Sequence, residues 1–343
     1  MSLVRKAVTT LLACIGLCAI ALAQSATLQA QEVKFTGHDV SLAGTLLAPK
    51  LDAGKRAPAI LLVGDSTAQR DGFTFGQVKQ NIYRELAEKF VAQGFIVLRY
   101  DKRCTGASEC KPAASFDDYI DDARGGVEFL KKHPQIDAAR LFLFGHGEGG
   151  YVVASIGAFD DVKFAGVVLA AAPGRTLNKV MRDEFRVRLT EAGKSDKDIA
   201  AYLEKCDRVT RGLMGGRTNF PEEKLDPKDP YDAALLALTQ RHEAVVALLI
   251  NDPLQIVNNI KAPVLIVQGR KDLQITVRDA EYLEEALKRA NHASHSLQLF
   301  DDMDHLLKNN KGKASLGSYA DTARPLDPAM LSAVMTWMQK QNM

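Results

Sequence analysis

The sequence predicts an α/β fold: a mostly parallel central sheet flanked by helices, with a helical segment inserted after the sixth strand. Three observations predict it. Short continuous apolar runs, such as APAILLVGD (57–65), FIVLRYD (95–101), FAGVVLAAAP (164–173) and APVLIVQG (262–269), have the length and composition of strands buried on both faces. Segments with helical spacing of apolar residues alternate with them, the order that covers a parallel sheet on both sides. The 343 residues, 46% hydrophobic and 25% charged, suffice for one large domain carrying an insertion.

The chain opens with MSLVRKAVTTLLACIGLCAIALAQS, in which Arg5 and Lys6 precede an apolar run over 7–22 and Ala21-Leu22-Ala23 offers small residues for cleavage. Residues 1–23 are read as a secretory signal peptide, with Ala30 as a second cleavage position. The apolar run is short of the ~20 residues of a membrane span. The expected location is therefore periplasmic or secreted, with no membrane partner after cleavage. Arg5 and Lys6 leave with the signal, so the 44 basic and 42 acidic residues of the whole chain become evenly balanced, and nothing favours nucleic acid as a partner. Cys104, Cys110 and Cys206 remain. Export to an oxidising compartment makes Cys104 and Cys110 a candidate disulfide closing a short loop, and Cys206 a buried thiol. No Cys/His spacing resembles a zinc site, and neither a metal nor an organic cofactor is implied.

The elements follow in order. EVKFTG and VSLAGTLLAP alternate like an antiparallel pair with a turn between them. Strand 57–65 leads to a helix over 80–94 that stops at Gly94, and strand 95–101 to the helix DDYIDDARGGVEFLKKHP, ended by Pro134. RLFLFG (140–145) is a strand running into a glycine turn, GGYVVASIGAF the helix leaving it, and 164–173 the next strand. The stretch 174–261 is far longer than the ~2–6 residues of an ordinary strand-to-helix connection. SDKDIAAYLEKCDRVTRGLMGG and YDAALLALTQRHEAVVALLIN within it are helical in pattern, so 174–261 is read as a lid between core segments 24–173 and 262–343. Strand 262–269, helix VRDAEYLEEALKRA, strand HSLQLFDD and helix PAMLSAVMTWMQKQ complete the chain.

The stretch LFLFGHGEGG (141–150) has the form of a nucleophile elbow, G-x-S-x-G, in which the serine sits on a sharp strand-to-helix turn. The nucleophile position here is Gly147. GDSTAQRDG (64–72), RYDKRCTGAS (99–108), GRKDLQI (269–275) and DDMDHLLK (301–308) accompany it in order. Together these segments resemble the α/β-hydrolase superfamily, in particular secreted bacterial serine hydrolases with a G-H-S-E-G-G elbow, a G-S-G-P-x-x-R-D-G oxyanion loop and an N-H-L-F histidine loop.

That resemblance implies a nucleophile, an acid and a base in the chain order Ser, Asp, His, which falls on Gly147, Asp272 and His305. Asp272 follows a strand end, where ligands bind in open α/β sheets. His305 has Asp301, Asp302 and Asp304 beside it in sequence, and His146 is expected to pack or hydrogen-bond. Backbone N–H groups of Glu148 and of Asp65 or Ser66 are the expected oxyanion hole. Asp65 departs from the usual serine of that loop, and an inward-facing carboxylate there would oppose an oxyanion. Cys104 stands where the family has a glycine.

Without the elbow serine, acyl-enzyme chemistry of the ordinary kind is not expected: loss of a triad nucleophile costs about 10⁶ in turnover. Ser66, an unpaired Cys104, or a water over Gly147 deprotonated by His305 are the substitutes the sequence offers. The expectation is a protein of carboxylic-ester or acyl hydrolase ancestry acting on a small ester-like substrate, through activated water. The alternatives are base chemistry by His305 and Asp272 without a covalent intermediate, or a pseudoenzyme that binds a small ligand. Arg186, Arg188 and Arg211 are the basic candidates to meet a carboxylate.

Overall fold

The computed structural model describes residues 28–65, 68–75, 77–111, 113–159 and 162–341; the segment read as a signal peptide and Ser66 lie outside them. Strands β1 (Gln29–Thr36), β2 (Ser41–Ala48) and β3 (Ala57–Val63) are followed by β4 (Phe73–Phe75), β5 (Val78–Gln80) and helix α1 (Ile82–Val91). Then come β6 (Ile96–Tyr100), α2 (Phe116–Lys132), β7 (Ile136–His146), α3 (Glu148–Phe159) and β8 (Gly166–Ala170). Helices α4 (Leu177–Glu191), α5 (Asp196–Met214), α6 (Pro230–Gln240), α7 (His242–Ile250) and α8 (Pro253–Val257) form the insertion. β9 (Val264–Gly269), α9 (Val277–Arg289), β10 (His295–Phe300) and α10 (Pro328–Gln341) close the chain.

Eight strands make one sheet in the order β1-β2-β6-β3-β7-β8-β9-β10. β1 and β2 pair antiparallel, β2 joins β6 antiparallel, and every pairing from β6 onward is parallel. The period-2 rule divides each buried strand between the two faces. Ala59, Leu61 and Val63 of β3 join Leu141 and Leu143 of β7 under α2, α3 and α9. Ile60 and Leu62, with Phe142 and Phe144, pack on the opposite side against Leu86 and Phe90 of α1 and Met330 and Val334 of α10. Each fully buried side chain of this kind contributes about 1.5–3 kcal/mol of burial free energy. Helices α2 and α9 are fixed at their starts by capping boxes, Ser115 with Asp118 and Thr276 with Asp279.

The inserted helices have a core of their own, built from Met181, Phe185, Leu203, Cys206, Val209, Leu235 and Val245. Cys206 is buried there as a free thiol, and a disulfide joins Cys104 to Cys110. Among the described residues no single helix is long and apolar enough to cross a membrane. The hairpin β4–β5 and helices α4 and α8 are additions to the elements read from the sequence. β4 and β5 are only three residues each, too short for a periodic pattern, and α4 carries Asn178, Lys179, Arg182, Asp183 and Arg186 among few apolar positions.

Candidate active site

Four loops at the carboxyl ends of β3, β7, β9 and β10 meet at one place. The chain leaves β7 through a tight strand-to-helix turn. Gly147 has φ +56°, and a Cβ on Gly149 would lie 2.2 Å from the Val63 carbonyl oxygen. Asp272 and His305 come together: His305 Nδ1 donates to Asp272 Oδ2 at 3.0 Å. Asp272 Oδ1 accepts the amides of Gln274 (2.8 Å) and Ile275 (2.9 Å), and Oδ2 also accepts from Gln268 Nε2 at 3.1 Å. Both carboxylate oxygens are thus held, and the carboxylate in turn fixes the imidazole tautomer and orientation. Asp301, Asp302 and Asp304 pair instead with Arg270, Lys271 and Arg324.

The volume that a side chain on Gly147 would fill is already occupied. Asp65 turns its carboxylate into it, and a Cβ on Gly147 would lie 2.5 Å from Asp65 Cγ and 2.6 Å from Oδ1. Oδ1 accepts the Glu148 amide at 2.8 Å, and Oδ2 stands 3.6 Å from His305 Nε2. This corrects two sequence expectations. The Glu148 amide does point at the elbow, but its acceptor is a side chain of the protein itself; the Asp65 amide is engaged by the Tyr83 hydroxyl at 2.8 Å. A water over Gly147 with His305 as its base is likewise displaced by the carboxylate. Ser66 lies outside the described residues, and the disulfide removes Cys104 as a thiol.

The electrostatics follow from this packing. Burial alone would lower His305, but the charge and hydrogen bond of Asp272, joined by the adjacent Asp65 carboxylate, lift it well above the ordinary imidazole value. Burial would raise Asp65, yet His305 and the Glu148 amide hold it well below the usual carboxylate range. The packing thus sets His305 between two carboxylates that favour its imidazolium form. Such a histidine cannot take a proton until one of those charges is removed.

This geometry belongs to a known frame. The sequence pattern of the serine aminopeptidase S33 family matches residues 78–312. The chain belongs to that family. It is 29% identical over 287 residues to Esterase EstD of Thermotoga maritima, a match that covers 82% of this chain and 62% of the esterase, so it spans less than two thirds of that relative's length. It is 24% identical over 245 residues to the uncharacterized peptidase YtmA of Bacillus subtilis, covering 70% of this chain and 77% of that one. Among solved structures, the Pyrococcus furiosus esterase Pf2001 superimposes with a TM-score of 0.59 at 17% identity, over 92% of each chain. The α/β hydrolase GrgF of Penicillium sp. sh18 does so at 0.57 and 17%, over 91% and 99%. The fold of this S33-family chain is that of the α/β-hydrolases, and its ancestry is hydrolytic.

Three buried groups that the sequence reading passed over hold this S33 site. The Tyr83 hydroxyl accepts the Asp65 amide and lies 2.9 Å from His146 Nδ1, while His146 Nε2 lies 2.7 Å from the His305 carbonyl oxygen. A carbonyl only accepts, so Nε2 carries the proton and Nδ1 accepts from Tyr83. Burial, with the charge of His305, pushes His146 down to about 4 and keeps it neutral. The relay ties the β3 loop to the histidine loop. Lys102 Nζ donates to the carbonyls of Gly64 and Asp65 at 2.7 Å each. Gln268 is the third, bonded to Asp272 as described above.

A cavity of about 270 Å³ opens onto these groups. Asp65, Gly147, Glu148 and His305 form its floor, and Leu177, Val180, Glu184, Arg188 and Leu248 of the insertion form part of its wall. Of the arginines named from the sequence, Arg188 lines this cavity and pairs with Glu184 at 2.5 Å, while Arg186 and Arg211 are exposed. Arg175 also lines it, held by Asp279 and Asp183. Among the described residues no cluster of His, Cys, Asp and Glu has the arrangement of a metal site.

Proposed function

We propose that this chain is a hydrolase of a small organic substrate in which Asp65, His305 and Asp272 do the work that a serine triad does elsewhere in the family. The observation that carries this reading is the position of Asp65. Its carboxylate fills the volume of the absent serine side chain, against the Glu148 amide and next to His305 Nε2. A nucleophile or base must reach both the histidine and the substrate cavity, and among the described residues Asp65 does so. Small ester-like molecules are the first class to test, since one relative is named an esterase. The inserted helices act as the lid that selects among them. The leader pattern and the Cys104–Cys110 bridge support export to the periplasm or beyond.

A second reading, a ligand-binding protein without turnover, is favoured by one observation: His305 already lies between two carboxylates, Asp272 at 3.0 Å and Asp65 at 3.6 Å. Acid release from a panel of small esters and other molecules with a leaving group separates the two. Turnover by the native protein that His305→Gln abolishes supports the hydrolase. No turnover of any compound, alongside a melting temperature raised by one of them, supports the binder.

A further inference from the structure

We infer that Asp65 attacks a saturated carbon, forming an alkyl ester on its own carboxylate that water then hydrolyses, so that the substrate class is a small alkyl compound whose leaving group departs as an anion, such as an alkyl halide. The inference rests on the hydrolase reading above.

The oxyanion donor at the elbow is already occupied. Hydrolysis at an acyl carbon develops negative charge on the substrate oxygen, and that charge requires donors in place. Here the Glu148 amide is bonded to Asp65 Oδ1 and the Asp65 amide to Tyr83. A substrate oxyanion at the elbow would meet the Asp65 carboxylate instead. Displacement at a saturated carbon develops no such oxyanion, so the same arrangement does not oppose it. In the second step the situation reverses. Water adding to Asp65 Cγ places the charge on Oδ1, which already sits 2.8 Å from the Glu148 amide. The donor that is unavailable for a substrate carbonyl is thus in place for the carbonyl of an ester built on Asp65.

The protons balance along the same path. Asp65 Oδ2 forms a bond to the substrate carbon, and the leaving group takes the electron pair of the broken bond as an anion. Asp65 is then neutral, and His305 keeps one carboxylate partner, Asp272, instead of two. Its imidazolium is correspondingly weakened and yields a proton to solvent. The neutral imidazole takes a proton from water as the water oxygen adds to Cγ, and the alcohol departs with the oxygen that had been Asp65 Oδ2. Carboxylate and imidazolium are restored, and the sum is alkyl halide plus water giving alcohol, halide and a proton. The cavity suits this class. Phe73, Leu177, Val180, Leu248 and Ile275 supply apolar walls, and Arg188, paired through Nη2 with Glu184, leaves its Nε without an acceptor among the described residues.

The test is a single turnover of short 1-bromoalkanes and of p-nitrophenyl acetate by excess native protein in heavy-oxygen water, with mass analysis of the peptide bearing Asp65. Halide release with heavy oxygen in Asp65 and ordinary oxygen in the first alcohol formed is the expected result. His305→Gln should accumulate the alkyl group on the same peptide. Ester turnover with neither label nor alkyl group on Asp65 overturns the inference and leaves the hydrolase reading standing. No turnover of either class, and no adduct in the variant, overturns both.

Discussion

Asp65 and Gly147 share one place in the structure: the carboxylate of the first fills the volume into which a side chain on the second would grow, at 2.5 Å from the missing Cβ. The loops after β3 and β7 are thus in contact at these two residues. Gly147→Ser alone should therefore fail to restore a serine hydrolase. Overpacking against Asp65 costs about 1–3 kcal/mol, with about 1 kcal/mol more for a side chain at positive φ. Asp65→Ser with Gly147→Ser should recover much of the overpacking loss, a coupling within the 0.5–3 kcal/mol seen for residues in contact. Urea unfolding of the two single variants and the double variant reads this directly; strict additivity would contradict it.

Tyr83→Phe should destabilise the protein and loosen the site together. The hydroxyl it removes accepts the Asp65 amide and donates to His146, and each buried group left unsatisfied costs about 1–3 kcal/mol. Thermal unfolding should show the loss, and hydrogen exchange should show it first at the Asp65 amide. An unchanged exchange rate there would rule the relay out as a brace.

Much of this architecture is legible in the sequence, and the reason is physical. β3, β7 and β9 are buried on both faces and must be apolar throughout, so APAILLVGD, RLFLFG and APVLIVQG declare themselves. Gly147, Asp272 and His305 are legible because each sits at a fixed offset from such a strand. What the sequence cannot show is direction. That Asp65 is an unusual residue is visible from its motif, but whether its carboxylate faces the elbow depends on a contact 83 residues away. The Tyr83–His146–His305 relay spans 63 and then 159 residues and has no local pattern at all.

The charge state of the site gives a pH prediction. His305 is lifted above its ordinary 6.5, so its pairing stabilises the fold fully below pH 6.5 and is lost as pH rises through the raised value. Asp65 lies below its ordinary 3.8, so its share is present above pH 3.8 and is lost as pH falls through the lowered value. Asp65→Asn takes one carboxylate from His305, and its imidazole titration should move downward when followed by NMR. A titration that does not move would mean that the two groups do not interact.

The disulfide closes a loop with a sequence separation of 6 between Cys104 and Cys110, for which loop entropy gives about 2 kcal/mol. Reduction should lower the denaturation midpoint by a corresponding amount. An unchanged midpoint would show that the loop is equally constrained without the bond.

In the proposed function the Asp65 carboxylate is the working group at the elbow. The most direct measurement is steady-state turnover of native protein and of Asp65→Asn on whichever substrate the native protein turns over, with melting temperatures of both. Asparagine keeps the shape and removes the charge, so the account predicts a loss of at least ~10³-fold in kcat with the fold retained. Turnover by Asp65→Asn within a few-fold of the native rate would contradict it.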